Sequence, residues 1–369
     1  MLLILYLCSN DGAVGAVFVS TTPSSLNNFT MSTILSIKGK SEIFVGRVEE
    51  GLDKFLRGER VVVITDANID RLYHDIVGRY EHIIVGHGEC SKNLVTVQSI
   101  YSQLLTMGAD RSTTLLGIGG GIVTDITGYV ASTFMRGLDF GFITTSLLGQ
   151  VDASIGGKNG VNVADYKNMV GTFAQPRFVI SDVDFLRTLP VRELRAGMAE
   201  VVKVAIVGDA ELFAFLEESI SEDCYRDTDV MRRIVLDSAR VKADIVDRDE
   251  CDKGVRRVLN LGHTIGHAIE KCSRKHNHGE AVAIGLSQIS HLSHRLGLLS
   301  AHDMERIDSL LTKIGFDISL PVPMIDLLRE MRYDKKKSNN ILRVVLPERI
   351  GSCRIVEMPL SELEKYFIE

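Results

Sequence analysis

Short apolar runs of strand character alternate with helical stretches from Met31 to about Pro176, and the pattern then changes. MSTILSIKGKSEIFV, ERVVVITD, HIIVGHG, TTLLGIGGG, GFITTS and RFVIS are β-rich runs, with helical stretches such as NLVTVQSIYSQLLTMG between them. Strands and helices alternating at this spacing predict a parallel sheet wrapped by helices. Ligands of such sheets sit at the carboxyl ends of the strands. Beyond Pro176 helical patterning runs from about Pro190 to Met331, broken at GVR, HNHG and IGF. ILRVVLP and CRIVEM then read as strands and SELEKYF as a closing helix. The predicted fold class is α/β: a parallel-sheet domain over residues 31–176, then a mainly α-helical domain over 177–369. Residues 1–30 stand apart. MLLILYLCS is apolar but lacks the basic start of a secretory signal and is too short to span a bilayer. SNDGAVGAVFVSTTPSSLNNFT reads as loop, so we take 1–30 as a leader outside the core or a misplaced start.

Composition narrows the classes. With 369 residues, 45% of them hydrophobic and 24% charged, the chain is long enough for two domains and has an ordinary globular balance. A net charge of −6 argues against nucleic acid as the main partner. The six cysteines are scattered with no CxxC pair, which fits a reduced, cytoplasmic protein better than a disulfide framework.

The densest candidate chemistry lies in the helical half. In GMAEVVK, Glu200 and Lys203 are three apart and share a helix face; in NLGHTIGHAIE, His263 and His267 are four apart and do the same. HNHGEAVAIGL adds His276 and His278 ahead of another amphipathic segment. A carboxylate with two imidazoles is the ligand set of a catalytic zinc site with one open position; helix capping is the plainer alternative. In the sheet half, Gly117, Gly119, Gly120 and Gly121 follow a strand and open a helix, where backbone N–H groups can meet a pyrophosphate. Ile122 stands where the dinucleotide fingerprint has its last glycine. Asp66 and Asn68 close one strand and Glu89 and Lys92 follow the next, which favours a dinucleotide lying across the sheet. Asp152, Lys158, Lys167 and Asn168 cluster among glycines as an anion cradle.

These segments together resemble one family. GGGIVTDITGYVASTFMRG, TTSLLGQVDASIGGKNGVN, KNMVGTFAQPR, TLPVRELRAGMAEVVK, RVLNLGHTIGHAIE, HGEAVA and DKK…VVLP are similar, in that order, to the 3-dehydroquinate synthase family of sugar phosphate cyclases. The resemblance implies an NAD-binding α/β domain, a helical metal-binding domain and an active site in the cleft between them. It implies cyclisation of a sugar phosphate, 3-deoxy-D-arabino-heptulosonate 7-phosphate, to 3-dehydroquinate with catalytic NAD and a divalent metal, Zn2+ or Co2+, in a homodimer. The metal ligands it implies are Glu200, His263 and His278, with His267 a substrate or proton-transfer residue. The NAD contacts it implies are Asp66, Asn68, Glu89, Lys92, Gly120, Gly121, Ile122, Asp125, Thr145, Ser146, Lys158, Lys167, Phe185 and Thr188. The substrate contacts are Arg136, Asp152, Lys158, Asn168, Lys203, Lys242, Arg256, Asn260 and Lys335. From composition alone Lys242 and Arg256 read as two solvated bases in an acidic stretch; the resemblance puts both at the substrate carboxylate. The chain departs from the family pattern at Thr124, Ser146, Asn159 and the ADYKN approach to Lys167, none of which removes a charged group.

Overall fold

The computed structural model describes residues 32–164, 166–221, 223–273, 275–335 and 341–368, with side chains left out at 332–335, 367 and 368. Eleven strands lie in this range: β1 (Thr33–Ile37), β2 (Ser41–Val45), β3 (Val61–Asp66), β4 (Glu81–Val85), β5 (Thr114–Gly119), β6 (Phe140–Thr144), β7 (Lys158–Val163), β8 (Tyr166–Phe173), β9 (Phe178–Ser181), β10 (Ile341–Arg349) and β11 (Ser352–Pro359). Seven of them form one sheet in the order β1-β2-β9-β6-β5-β3-β4. Only β1 and β2 pair antiparallel in it; the other neighbours are parallel. The last sheet strand, β9, lies just past Pro176, so the sheet takes in chain up to Ser181.

Parallel strands covered on both faces must be apolar at every position, and the sequence supplies this. In β3, Val62 and Ile64 enter one core while Val61 and Val63 enter a second, as period-2 side chains do. Val179 and its neighbours Phe178 and Ile180 divide between the two cores in the same way. Five helices dress the sheet: α1 (Val48–Phe55), α2 (Ala67–Leu72), α3 (His74–Val77), α4 (Leu94–Thr106) and α5 (Gly121–Thr133). Between β6 and β9 the chain makes a π-helical turn, Gly149–Ala153, and the antiparallel β7–β8 hairpin.

The rest is mainly helical: α6 (Val191–Gly208), α7 (Ala210–Ser219), α8 (Thr228–Arg248), α9 (His263–Cys272), α10 (His278–Arg295), α11 (Ala301–Ile314), α12 (Met324–Lys335) and α13 (Leu360–Ile368). The β10–β11 hairpin precedes α13. Helix α6 is buried without interruption from Ala196 to Val207. A helix that is apolar all round belongs in a core, so the charges it carries, Glu200 and Lys203, need partners there. Among the described residues no helix is long and apolar enough to cross a membrane.

Candidate active site

Three helices bring the candidate ligands together. Glu200 comes from the middle of α6 and is 0% exposed. His263 opens α9 after Gly262, whose φ of 75° suits glycine. His278 opens α10, and the sequence HNHGE explains why: Asn277 caps the helix and Glu280 closes a capping box with it. At Gly279 a Cβ would stand 2.3 Å from Ala196 Cα, so only glycine lets the start of α10 approach α6 this closely. The result is that Glu200 Oε1 lies 3.0 Å from His278 Nε2 and 3.6 Å from His263 Nε2. One ligand atom from each residue falls within 4.8 Å of the others. Ligands about 2.1 Å from a tetrahedral ion stand about 3.4 Å apart, so the donor set and its spacing fit Zn2+ or a similar dication. Behind the ligating nitrogens, His263 Nδ1 lies 3.0 Å from the Leu261 carbonyl and His278 Nδ1 lies 3.6 Å from Glu270 Oε2. Backing of this kind orients imidazole ligands.

The helical spacing that would pair His263 with His267 gives a different contact. Their rings meet edge to face at 5.5 Å, and His267 is exposed and outside the ligand group. Four residues along a helix stack two side chains on one face, but converging on a point needs a second element. His276 hydrogen-bonds Ser273 Oγ and lines a separate cavity of about 280 Å3 with Arg192 and Arg195.

A chain of alternating charge runs inward from the ligands. Lys203 Nζ pairs with Glu200 Oε2, which has no hydrogen bond of good geometry besides, and lies 3.5 Å from Asp152 Oδ2. Asp152, delivered by the π-helical turn, pairs with Lys242 Nζ through Oδ1, and its carbonyl accepts from the same ammonium at 2.5 Å. Arg256 is buried and donates through Nη1 to the Gly156 and Glu250 carbonyls. Burial works against every one of these charges, and the pairing decides which persist. Burial alone would raise the Glu200 carboxyl, but Lys203 and the two imidazoles hold it well below the usual range. Burial lowers His263 to about 4, whereas His278, between Glu200 and Glu270, is raised to about 10 against its burial. Burial likewise brings Lys242 down to about 8 despite Asp152. Glu200 and Asp152 are each matched by a lysine, and Lys242 and Arg256 lie close enough to repel one another, so the inner end of the site is suited to an anion.

Other candidates gather at the strand ends. Gly120 caps α5 without a side-chain bond, and Gly119 lets the helix sit on β5, where a Cβ would be 2.7 Å from Val123. Asp66 accepts from the amides of Asn68 and Ile69 as the cap of α2, and Asn68 Nδ2 contacts His87. Lys92 pairs with Asp125 and donates to Asn168 Oδ1 at 2.5 Å; Glu89 accepts from Asn162. Burial raises Asp125 to about 6 even with Lys92 beside it. Thr145 and Ser146 follow β6, with Ser146 Oγ accepting from the Gly149 amide beside Gly120. Thr188 bonds Tyr73 OH, whose ring packs on Phe185. Ile122 occupies the first turn of α5. A glycine turn at a helix start, flanked by polar strand ends, fits a dinucleotide.

The expected anion-binding loops are the β7–β8 hairpin. Its Lys158 pairs with Asp252 and its Lys167 with Glu270, 2.9 Å away. Asn159 ties the hairpin base to the Gly157 and Ala174 carbonyls. Arg136 ends the short helical turn Phe134–Arg136 that follows α5, with a φ of 72°. Lys335 ends α12, and its side chain lies outside the described residues. A cavity of about 720 Å3 opens beside the ligands, lined by Asn260, His263 and His267 together with Arg257, Lys271 and Arg343. Those three cations and Glu270 were not among the candidates from sequence. Glu270 and Lys271 carry a signal, standing on the helix face of His263 and His267 at seven and three and at eight and four residues' spacing.

Comparison with known proteins places this arrangement. Residues 82–196 match the family model for the N-terminal part of 3-dehydroquinate synthase and residues 197–337 that for its C-terminal part. The chain is 40% identical over 367 residues to the 3-dehydroquinate synthase of Natranaerobius thermophilus, covering 94% of this chain and 99% of that protein. It is 42% identical over 314 residues to that of Colwellia psychrerythraea, covering 82% and 89%. Among solved structures, 2-epi-5-epi-valiolone synthase from Streptomyces hygroscopicus, with NAD+ and Zn2+ bound, superposes with a TM-score of 0.80 at 27% identity, covering 88% of this chain and 95% of that one. A 2-deoxy-scyllo-inosose synthase complexed with carbaglucose-6-phosphate, NAD+ and Co2+ shares the fold at 0.81 and 23%, covering 91% and 99%. With the family models matching most of its length and full-length relatives at this identity, the chain belongs to the 3-dehydroquinate synthase family.

Proposed function

We propose that this protein is a 3-dehydroquinate synthase, a lyase of the shikimate pathway that converts 3-deoxy-D-arabino-heptulosonate 7-phosphate to 3-dehydroquinate and phosphate. The observation that carries the reading is full-length identity of 40% to proteins of that name. The charge network supports it, because a substrate with a carboxylate at one end and a phosphate at the other needs two cationic ends. Glu200, His263 and His278 hold a divalent metal, zinc or cobalt, and the strand ends from Asp66 to Thr188 hold NAD. When bound, the metal polarises a substrate hydroxyl and NAD accepts and returns one hydride, so no cofactor is consumed.

The chain's own residues supply position and charge. Lys242 and Arg256, with Asn260, orient the substrate carboxylate. Lys158, Asn168 and His267 meet the phosphate and stabilise it as it leaves. Lys203 keeps Glu200 ionised and in place, and Asp152 fixes Lys203 and Lys242 relative to each other. With the groups set in advance, the same pocket serves each step by electrostatics and orientation. The family also leads us to expect a homodimer in the cytoplasm, which sedimentation of the purified protein tests for assembly.

The decisive assay is release of phosphate from the heptulosonate phosphate. We expect turnover that chelator abolishes, that Zn2+ or Co2+ restores, and that leaves no net NADH. Preference for sedoheptulose 7-phosphate or glucose 6-phosphate would reject the assignment, and NADH accumulation would indicate a dehydrogenase instead.

A further inference from the structure

The two imidazoles of the metal group are backed unequally. His263 has a neutral main-chain carbonyl behind Nδ1, whereas His278 has the carboxylate of Glu270. Glu270 is sheltered, its side chain 14% exposed, on the face of α9 that also carries His263 and His267. Its second oxygen accepts from Lys167 Nζ at 2.9 Å, and Lys167 belongs to the β7–β8 hairpin rather than to the helical half. One carboxylate thus touches both the first residue of α10 and the hairpin beside the expected cofactor.

We propose that Glu270 is a positioning residue for the metal ligand His278, and that Lys167 anchors it from the hairpin. A carboxylate behind Nδ1 places the neutral imidazole's proton there, which leaves the Nε2 lone pair directed at the ion shared with Glu200. It also makes that nitrogen a stronger donor than His263, whose carbonyl partner carries no net charge. Lys167 restrains the carboxylate through its other oxygen. Anything that engages Lys167 therefore changes how firmly His278 is held, and by linkage the metal changes that engagement equally. This inference rests on the metal reading of the Glu200, His263 and His278 group.

The test is Co2+ affinity of the whole protein, measured by competition with a chromophoric chelator, alongside the Co2+ visible spectrum and the melting temperature of the metal-stripped form. Losing an outer partner of a ligand weakens metal binding about ten- to a hundredfold. We expect that loss for Glu270→Ala, a smaller one of at least about threefold for Glu270→Gln, and about twofold to fivefold for Lys167→Met, by the same principle. The spectrum should shift in both Glu270 variants while the stripped proteins melt close to wild type. If Glu270→Ala does not fold, Glu270→Gln decides. Co2+ affinity within about twofold of wild type in the folded variant, or a fall in stripped-form melting with affinity unchanged, overturns the proposal. Failure of the wild type itself to bind Co2+ would instead overturn the metal reading.

Discussion

Replacing Lys203 with methionine isolates the electrostatics of the buried network. Methionine is close to the lysine stem in length and shape, so little of the effect comes from a cavity. Lys203 is 1% exposed and Glu200 0%, and Lys203 is the cation shared by Glu200 and Asp152. Asp152 keeps Lys242 as a partner. Glu200 keeps the imidazoles: burial holds His263 neutral near pH 7, while His278, raised to about 10 and 3.0 Å from Glu200, stays charged in the stripped protein. Stripping one partner from a buried ion pair destabilises by about 3–5 kcal/mol, because the remaining charge has lost part of its compensation without regaining water. Unfolding entropy of about 2.1 cal/mol/K per residue over about 340 residues converts this to a fall of about 4–7 °C in melting temperature. Calorimetry of chelator-treated wild type and Lys203→Met measures it. Reloading with Zn2+ supplies positive charge to Glu200 from the other side, so the gap should narrow in the loaded proteins. A stripped Lys203→Met that melts within about 2 °C of wild type, or a gap that widens with metal, would show that Glu200 does not depend on Lys203.

Three further outcomes are expected. Arg256→Ala should lower kcat/KM for the heptulosonate phosphate about ten- to a hundredfold, the worth of one charge-assisted hydrogen bond, and Arg256→Lys should also be impaired because an ammonium lacks the planar fork; an unaffected Arg256→Ala counts against the carboxylate role. Lys242 is held near 8 by burial, so it loses its charge as pH rises through about 8, and kcat/KM should fall on that side of the profile. Lys242→Arg should carry the limb to higher pH, and a limb left in place would assign it to another group. We also propose that a chain beginning at Met31 keeps activity and melting temperature, since the described strands start at Thr33; a large loss of either would show that the preceding residues contribute to the fold.

Much of this molecule is written locally. Strands β3, β5, β6 and β9 are legible because a strand buried on both faces must be apolar at every position. The start of α10 is legible too, since Asn277 and Glu280 form a capping box by spacing alone. The neighbouring contact of Glu200 and Lys203 follows from one helical turn. What depends on one segment meeting another is not local. The β7–β8 hairpin hides in VDASIGGKNGVN and YKNMVGTFAQP, where glycine, asparagine and lysine carry little strand signal and pairing with each other makes the strands. Helical spacing joins His263 to His267, yet the ligand group needs His278, which arrives only because Gly279 allows α10 onto α6. Asp66 reads as a dinucleotide contact from its strand end, and the fold also gives it the cap of α2. Glu270 is an ordinary helix glutamate until α10 and the hairpin each reach one of its oxygens. Periodicity determines which face a side chain occupies; convergence of three helices and a hairpin on one point is set by packing, which no single segment encodes.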